Sequence, residues 1–128
     1  MKPNKERIKK LVQALKSGKY KQTDGCLRYG DEFCCLGVAC DIYAKETKEY
    51  DWKIIDSDYF FVNEANILPK IVQEWYGFEH EDPYITSGNT TIAEDPYITA
   101  AKTAAGLNDS HVDFTTIAEL FEEKYLSE

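Results

Sequence analysis

Apolar residues recur at helical spacing in the first part of the chain. The residues are Ile8, Leu11, Val12 and Leu15. They follow the i, i+3, i+4, i+7 pattern with lysines between them, and Ser17-Gly18 then provides a stop signal. The pattern predicts an N-terminal amphipathic helix within residues 1–18. Its apolar stripe covers either the core of the domain itself or a second subunit.

Two later segments repeat this helical spacing. One contains Leu68, Ile71, Val72 and Trp75, and the other contains Ile117, Leu120, Phe121 and Lys124. Pro69 suits the first turn of the former and Gly77 its end, whereas Asp113 can cap the latter. The three segments predict three main helices. Leu36–Lys45 is predicted as a further helical stretch, interrupted by Gly37.

Strand signals lie between these helices. Cys26–Tyr29 and Glu32–Cys34 flank Gly30-Asp31, a dipeptide that suits a tight reversal, so a short hairpin is predicted. Residues 50–62 are rich in aromatic and β-branched side chains, which favours at least one strand. Together the elements predict an α+β fold with three main helices around a small antiparallel β-sheet.

Composition points to one domain over residues 1–128. The chain is 43% hydrophobic and 30% charged, close to ordinary globular usage. No apolar run approaches the roughly 18 residues needed to span a bilayer. The basic start leads into an amphipathic pattern rather than an apolar signal-peptide block. We therefore expect a cytoplasmic protein with no membrane partner.

Charge is distributed unevenly along the chain. Residues 1–40 carry nine basic and four acidic side chains, whereas residues 41–128 carry six and nineteen. A surface this acidic repels a polyphosphate, so a nucleic-acid polymer is not an expected partner. A small anionic ligand stays compatible, because one or two cations and a few backbone N–H groups are enough to hold it.

The cysteines do not indicate a disulfide framework or a metal site. Three of the four lie within Cys34–Cys40 on an apolar segment, which is typical of reduced, buried thiols. The paired spacing and the downstream histidine pair of a zinc site are missing. His80 and His111 lie in acidic or polar turns, and nothing in the sequence places either beside a thiol. We predict no metal.

Motifs for catalysis are missing from the sequence. It contains no Walker loop, no dinucleotide-binding glycine fingerprint, no HExxH and no Gly-x-Ser-x-Gly elbow. Its many carboxylates are mostly interpreted as a solvated surface, because paired acid–base work needs a pocket geometry that a sequence does not reveal. We therefore predict a protein that is not an enzyme, with no catalytic residues and no cofactor.

A candidate binding set remains. It comprises Arg28, Tyr29, Phe33, Asn89, Thr90, Asn108 and Asp109. Arg28 offers a bidentate fork for an anion, the aromatic rings offer flat surfaces, and the other side chains are short polar groups expected in turns. Such a set suits a nucleotide-like ligand. The residues alone also allow Arg28 to make an ordinary surface ion pair, with the aromatic rings in the core.

A literal repeat surrounds two of these residues. EDPYIT occurs at Glu81–Thr86 and again at Glu94–Thr99. The two copies fit two similar strands or loop arms, or a local duplication without functional consequence. Further on, Asn108-Asp109-Ser110 is predicted to form a polar turn before the C-terminal helix.

Four sequence blocks occur in a fixed order. They are VQALKSGKYKQ at Val12–Gln22, FCCLGVACD at Phe33–Asp41, LPKIVQEWYG at Leu68–Gly77 and LNDSHVDFTTIA at Leu107–Ala118. Because of these blocks and their order, the chain resembles the phage and prophage family of Thoeris anti-defence protein 1. The blocks are spread over most of the chain.

The resemblance implies a function. It implies a symmetric homo-oligomer, at least a dimer, that binds glycocyclic ADP-ribose signals without cleaving them and so blocks Thoeris defence. It also implies that Arg28 contacts phosphate with Phe33, Asn108 and Asp109 nearby, and that a higher assembly can bind cyclic nucleotides at a separate site. Two other roles stay open: an acidic phage inhibitor that binds a host protein directly, and a hydrolase acting on the same signal.

Overall fold

The N-terminal amphipathic pattern forms helix α1, Lys5–Lys16. The computed structural model describes residues 2–86 and 102–127. The Asn4 side chain accepts the N–H of Arg7 at 3.1 Å and so caps the first turn. All four residues of the apolar stripe are buried within the same chain, mainly against the C-terminal helix. The stripe therefore covers the core of the domain itself.

Helix α2, Cys35–Thr47, is the central helix. It is buried on most of its circumference, which explains why the sequence showed no one-sided apolar pattern there. The predicted helical stretch at Leu36–Lys45 is confirmed. Gly37 does not interrupt it, and its N–H is accepted by the Cys34 sulfur at 3.3 Å.

A three-stranded sheet joins α1 to α2. Its strands are β1 (Lys21–Gln22), β2 (Arg28–Tyr29) and β3 (Glu32–Phe33), in the order β1-β3-β2. The predicted hairpin is confirmed as β2 and β3, with Arg28 opposite Phe33. The expectation of a purely antiparallel sheet is wrong for β1, which pairs parallel to β3. The chain reverses between β1 and β2 and enters β2 on the far edge of β3.

A second hairpin follows α2. Strands β4 (Lys53–Ile55) and β5 (Asp58–Phe60) pair antiparallel, which confirms strand structure within residues 50–62. Its turn residues Asp56 and Ser57 both have positive φ, at 51° and 73°. Two successive positive φ values match the tight turns that suit the twist of a two-residue hairpin.

Three shorter helices complete the described fold. They are α3 (Lys70–Tyr76), α4 (Ala104–Asp109) and α5 (Phe114–Phe121), and α5 continues into a π-helical turn at Glu122–Leu126. The proposed polar turn at residues 108–110 is wrong, because Asn108 and Asp109 form the end of α4 and Ser110 caps it. The α+β class is thus confirmed, but with five α-helices in the described ranges instead of three main helices. None of these helices is long and apolar enough to cross a membrane.

One close backbone approach fixes the first hairpin on α2. The Leu27 carbonyl oxygen accepts the N–H of Cys34 at 3.0 Å. A Cβ atom on Gly37 would lie 1.8 Å from that same oxygen. Glycine at this position therefore lets the chain just before Arg28 lie directly on the first turn of α2.

Candidate functional site

Arg28 extends from β2 into a group of aromatic rings. Its guanidinium carbon lies 4.9 Å from the ring centre of Phe33, 5.4 Å from that of Trp52 and 4.6 Å from that of Tyr59. The Arg28 Nε donates to the Gly30 carbonyl at 2.7 Å. Stacking and this hydrogen bond hold the guanidinium in one orientation, since ring faces attract a cation.

No carboxylate pairs with Arg28 among residues 2–86 and 102–127. Among the described residues, the Arg28 guanidinium forms a hydrogen bond only through its Nε. Both of its terminal nitrogens therefore remain free as hydrogen-bond donors. Arg7, the other arginine of the chain, differs: its Nη1 donates to the Trp75 carbonyl at 2.8 Å. The surface ion pair that the sequence also allowed for Arg28 is not formed in the described structure.

A cleft of about 380 Å³ opens beside Arg28, and we call it the cationic cleft. It is lined by Lys19, Tyr20, Arg28, Phe33, Asp41 and Lys45. Three cations and one carboxylate leave it positively charged in a chain whose net charge is −8. Cations in a cleft with apolar aromatic walls attract small anions even when the molecule as a whole is acidic.

Asp41 organises one wall of the cationic cleft. Its carboxylate accepts hydrogen bonds from the Tyr20 hydroxyl at 2.6 Å and from the Trp52 Nε1 at 3.1 Å. It also pairs with the Lys45 Nζ at 3.0 Å. Asp41 thus holds Trp52, whose ring lies near the Arg28 guanidinium, and Tyr20, which packs edge-on against Phe33 at 5.1 Å.

The protonation states of Tyr20, Asp41 and Lys45 in this wall follow from those contacts. Burial opposes the charged form of Asp41, but hydrogen bonds from Tyr20, Lys45 and Trp52 outweigh burial and lower its pKa. Burial and the bond to Asp41 raise the pKa of Tyr20 to about 12. The hydrogen bond to Asp41 raises the pKa of Lys45. At neutral pH, Tyr20 is therefore a phenol donor and the Asp41–Lys45 pair is ionised.

Asp41→Asn is expected to lower the free energy of unfolding by about 1–3 kcal/mol at pH 7, because a partly buried donor loses its charged acceptor. The folded pKa of Asp41 is lowered, so its ionised form stabilises the fold above the ordinary value of 3.8. This contribution is lost as the pH falls through the lowered folded pKa. Urea unfolding followed by circular dichroism checks the effect.

The pH dependence separates this role from simple packing. The difference between wild type and Asp41→Asn should shrink as the pH is lowered below 3.8. Asp31→Asn is the control, because Asp31 forms only an exposed pair with Lys21 at 3.4 Å and should change stability by less than about 1 kcal/mol. An equal loss at every pH would contradict the ionised-pair explanation.

A second cleft of about 270 Å³ also opens beside Arg28, and we call it the polar cleft. Among the residues lining it are Tyr29, Ser57, Asp58, Tyr59 and Asn66. Arg28 is the residue that the two clefts share. Tyr29 is 65% exposed, so its ring is available at the rim.

The structure brings three of the predicted binding residues together and places two elsewhere. Arg28, Tyr29 and Phe33 lie at the two clefts, although the Phe33 ring is mostly buried beneath the guanidinium. Asn108 and Asp109 lie at the end of α4 and line neither cleft. Asn89 and Thr90, together with the second EDPYIT copy, lie outside the described residues.

Asn108 joins three parts of the fold. Its Oδ1 accepts from the Gln22 Nε2 at 3.0 Å and from the Cys35 N–H at 3.1 Å. Its Nδ2 donates to the Thr23 carbonyl at 2.6 Å. With 1% of its surface exposed, Asn108 connects β1, α2 and α4. Asp109 makes another long-range contact, accepting the Gly25 N–H at 2.9 Å.

Sequence reasoning missed several residues around Arg28. They are Lys19, Tyr20, Asp41, Lys45, Trp52 and Tyr59. Lys19, Tyr20 and Asp41 lie inside two of the four sequence blocks, which was the available signal for them. Trp52 and Tyr59 lie in the aromatic-rich segment that was assigned only as strand, and nothing in a sequence shows that their rings face Arg28.

The thiols differ in exposure. Cys34, Cys35 and Cys40 are buried, whereas Cys26 is partly exposed beside the polar cleft, and all four are free. Burial raises the pKa of Cys34 to about 12 and the pKa values of Cys35 and Cys40 well above the ordinary one. Buried thiols of this kind are unreactive, which agrees with the interpretation as reduced core residues.

Thiol labelling is expected to follow this order. With a disulfide reagent at mildly alkaline pH, only Cys26 of the folded protein should react quickly, since the others are shielded. In urea all four should react. Cys26→Ser should remove the fast phase entirely. Rapid labelling of a second thiol in the folded protein, or an unchanged total in urea, would contradict the buried and reduced assignment.

Nothing in the described ranges assembles a metal or nucleophile site. No group of three His, Cys, Asp or Glu side chains there is arranged to hold a metal ion. His111 pairs its Nδ1 with Asp24 at 3.1 Å on the surface, and His80 packs its ring near Tyr84. Neither histidine contacts a thiol within the described hydrogen bonds.

Comparison with known proteins gives a single result. Residues 4–125 match the family DUF8296, described as a domain of unknown function. No curated protein and no solved structure matches the chain.

Proposed function

Since the chain belongs to the DUF8296 family, a domain of unknown function, its role has to be inferred from its own residues, and we propose that it binds a small nucleotide-derived anion at Arg28. The observation that carries the proposal is the unpaired guanidinium. Arg28 is held among three rings and presents free N–H donors between two clefts. Phosphate oxygens match this donor fork, and rings suit a base.

The four sequence blocks suggest which nucleotide. They resemble those of phage and prophage proteins that sequester glycocyclic ADP-ribose, so we propose this class of signal as the ligand. The protein would act as a sponge in the cytoplasm of the infected or lysogenic bacterium, lowering the free signal below the level that activates Thoeris defence. Sequestration is stoichiometric and needs tight binding rather than turnover.

Assembly is a separate part of the proposal. Following the same resemblance, we propose a homo-oligomer based on a dimer, with binding of cyclic nucleotides as a second capacity of a higher assembly. Because the α1 stripe is used within the chain, a subunit interface would have to use another surface. Light scattering of the purified protein tests this, and a monomer at micromolar concentration would contradict it.

A capture-and-release experiment tests the ligand. Purified protein is mixed with glycocyclic ADP-ribose, unbound ligand is removed, and the complex is heated and analysed by mass spectrometry. Recovery of intact ligand near one per protomer supports the sponge. Recovery of a hydrolysed product indicates an enzyme. If no ligand is recovered, glycocyclic ADP-ribose is not the ligand, and direct inhibition of a host protein is favoured instead. Protein denatured before mixing is the control.

A further inference from the structure

The two clefts at Arg28 differ in chemistry. The cationic cleft holds Lys19 and Lys45 beside the guanidinium. The polar cleft instead holds a hydroxyl, a carboxylate and an amide, from Ser57, Asp58 and Asn66. Arg28 belongs to both. A ligand seated across this arginine would therefore meet cations on one side and hydrogen-bonding groups on the other.

Two exposed polar side chains of the second cleft have no protein partner among residues 2–86 and 102–127. The side chains of Asp58 and Asn66 form neither an ion pair nor a hydrogen bond there, although Arg28 lines the same cleft. Asp41 in the cationic cleft is the opposite case, with three partners on its carboxylate. Asp58 thus offers acceptor oxygens to a ligand, whereas Asp41 is committed to the fold.

The size of the two clefts is compatible with a shared ligand. The polar cleft measures about 270 Å³ and the cationic cleft about 380 Å³. Small-molecule sites usually occupy about 300–1,000 Å³, so the cationic cleft alone reaches the lower end of that range and the two clefts together lie well inside it. A nucleotide has two chemically different halves that match such a pair.

We propose that the ligand lies across Arg28, with its phosphates in the cationic cleft and its sugar and base in the polar cleft, where Asp58 accepts hydrogen bonds from sugar hydroxyls. This assignment rests on the proposed function. Asn66 offers a second hydrogen-bonding group, and the Tyr59 ring offers a stacking surface. Asp58 is then the residue that distinguishes a nucleotide from a bare polyphosphate.

The direction in which one substitution changes ligand affinity separates a hydrogen-bonding role of Asp58 from a purely electrostatic effect. A carboxylate near an anion site repels the anion, so Asp58→Asn would raise the affinity for any phosphate if charge alone mattered. If Asp58 accepts sugar hydroxyls, the same change weakens nucleotide binding, because hydrogen bonds to an ionised acceptor are the stronger ones. The two readings predict opposite directions for the same variant.

Titration calorimetry with two probes tests the proposal. Glycocyclic ADP-ribose contacts both clefts and inorganic pyrophosphate only the cationic one. Asp58→Asn is expected to weaken the nucleotide by about tenfold and to leave pyrophosphate binding equal or stronger. Lys45→Ala should weaken both probes. Asp31→Asn is the matched control, because it removes the same charge from the turn of the first hairpin, and Asp31 lines neither cleft.

The outcomes are distinguishable from failure of the proposed function. If wild type binds neither probe, or binds pyrophosphate but not the nucleotide, the proposed function fails first. If wild type binds the nucleotide and Asp58→Asn binds it equally or more tightly, the function stands and the assignment of the polar cleft is overturned. A tenfold loss shared by Asp31→Asn would overturn it as well, since the effect would then be one of net charge.

Discussion

Gly37→Ala is expected to destabilise the domain by at least about 3 kcal/mol, a cost typical of severe core overpacking. The added methyl group would meet the Leu27 carbonyl oxygen at 1.8 Å, and backbone atoms cannot move aside as a flexible side chain can. The displaced segment leads directly into Arg28. Helix propensity alone predicts the opposite sign, because alanine is favoured over glycine in a helix by about 1 kcal/mol.

Urea unfolding monitored by circular dichroism checks this prediction. Gly30→Ala is the matched control, since Gly30 has a φ of 61° but no atom within 4 Å of an added Cβ. That variant should lose only about 1–2 kcal/mol, the cost of left-handed backbone strain. A Gly37→Ala protein as stable as wild type would show that the hairpin does not lie on α2 in the way described.

Arg28→Ala is expected to weaken binding of the proposed nucleotide by at least about a hundredfold, because two hydrogen bonds to a charged phosphate are lost together. Its effect on stability should be small, at about 1 kcal/mol for the lost ring contacts. The affinity of the Arg28→Lys variant should lie between those of the wild type and of Arg28→Ala, since lysine keeps the charge but not the two-pronged donor geometry. Titration calorimetry gives the affinities.

Arg7→Ala is the matched control for Arg28→Ala. Arg7 also lies over an indole ring, 4.4 Å from the centre of Trp75, but its guanidinium donates to a carbonyl of the fold. Its removal should lower stability and leave ligand affinity unchanged. An equal loss of affinity in both variants would show a general charge effect, and no loss in Arg28→Ala would remove Arg28 from the site.

Elements with one-sided periodicity were predictable from the sequence. The N-terminal helix buries all four residues that its spacing selected. In the other two segments Ile71 and Trp75 are half-buried and Lys124 is exposed, while the remaining selected residues are buried. Pro69 and Gly77 mark the ends of α3. Helix α4 was missed because it has only six residues and contains a glycine. The parallel pairing of β1 was missed because two-residue strands carry no pattern from which direction could be inferred.

The site was only partly predictable for a related reason. Arg28 was identified by residue type, since a guanidinium near aromatic residues is a recognisable combination. Its ring partners are Trp52, which directly precedes the second hairpin, and Tyr59, which lies within it, and both reach Arg28 only in the folded chain. Asn108 was chosen as a polar turn residue, yet burial makes it part of the hydrogen-bond network of the core.

Several residues of the sequence blocks stabilise the fold. Gly37 permits a backbone contact, the Tyr76 hydroxyl donates to the Ala39 carbonyl at 2.7 Å, and Asn108 joins three elements. Four other block residues line the cationic cleft, namely Lys19, Tyr20, Phe33 and Asp41. The blocks therefore contribute both to the architecture and to the cleft, and binding has to be measured at the cleft itself.

Tryptophan fluorescence measures binding at that place most directly. The two tryptophans form a matched pair: Trp52 packs on Arg28, and Trp75 packs on Arg7 beyond the rings of Tyr43 and Phe61. We expect glycocyclic ADP-ribose to change the emission of Trp52 saturably in Trp75→Phe protein. The emission of Trp75 should stay unchanged in Trp52→Phe protein at ligand concentrations at which calorimetry shows that this variant is bound. No change at Trp52, or an equal change at Trp75, would contradict a ligand site at Arg28.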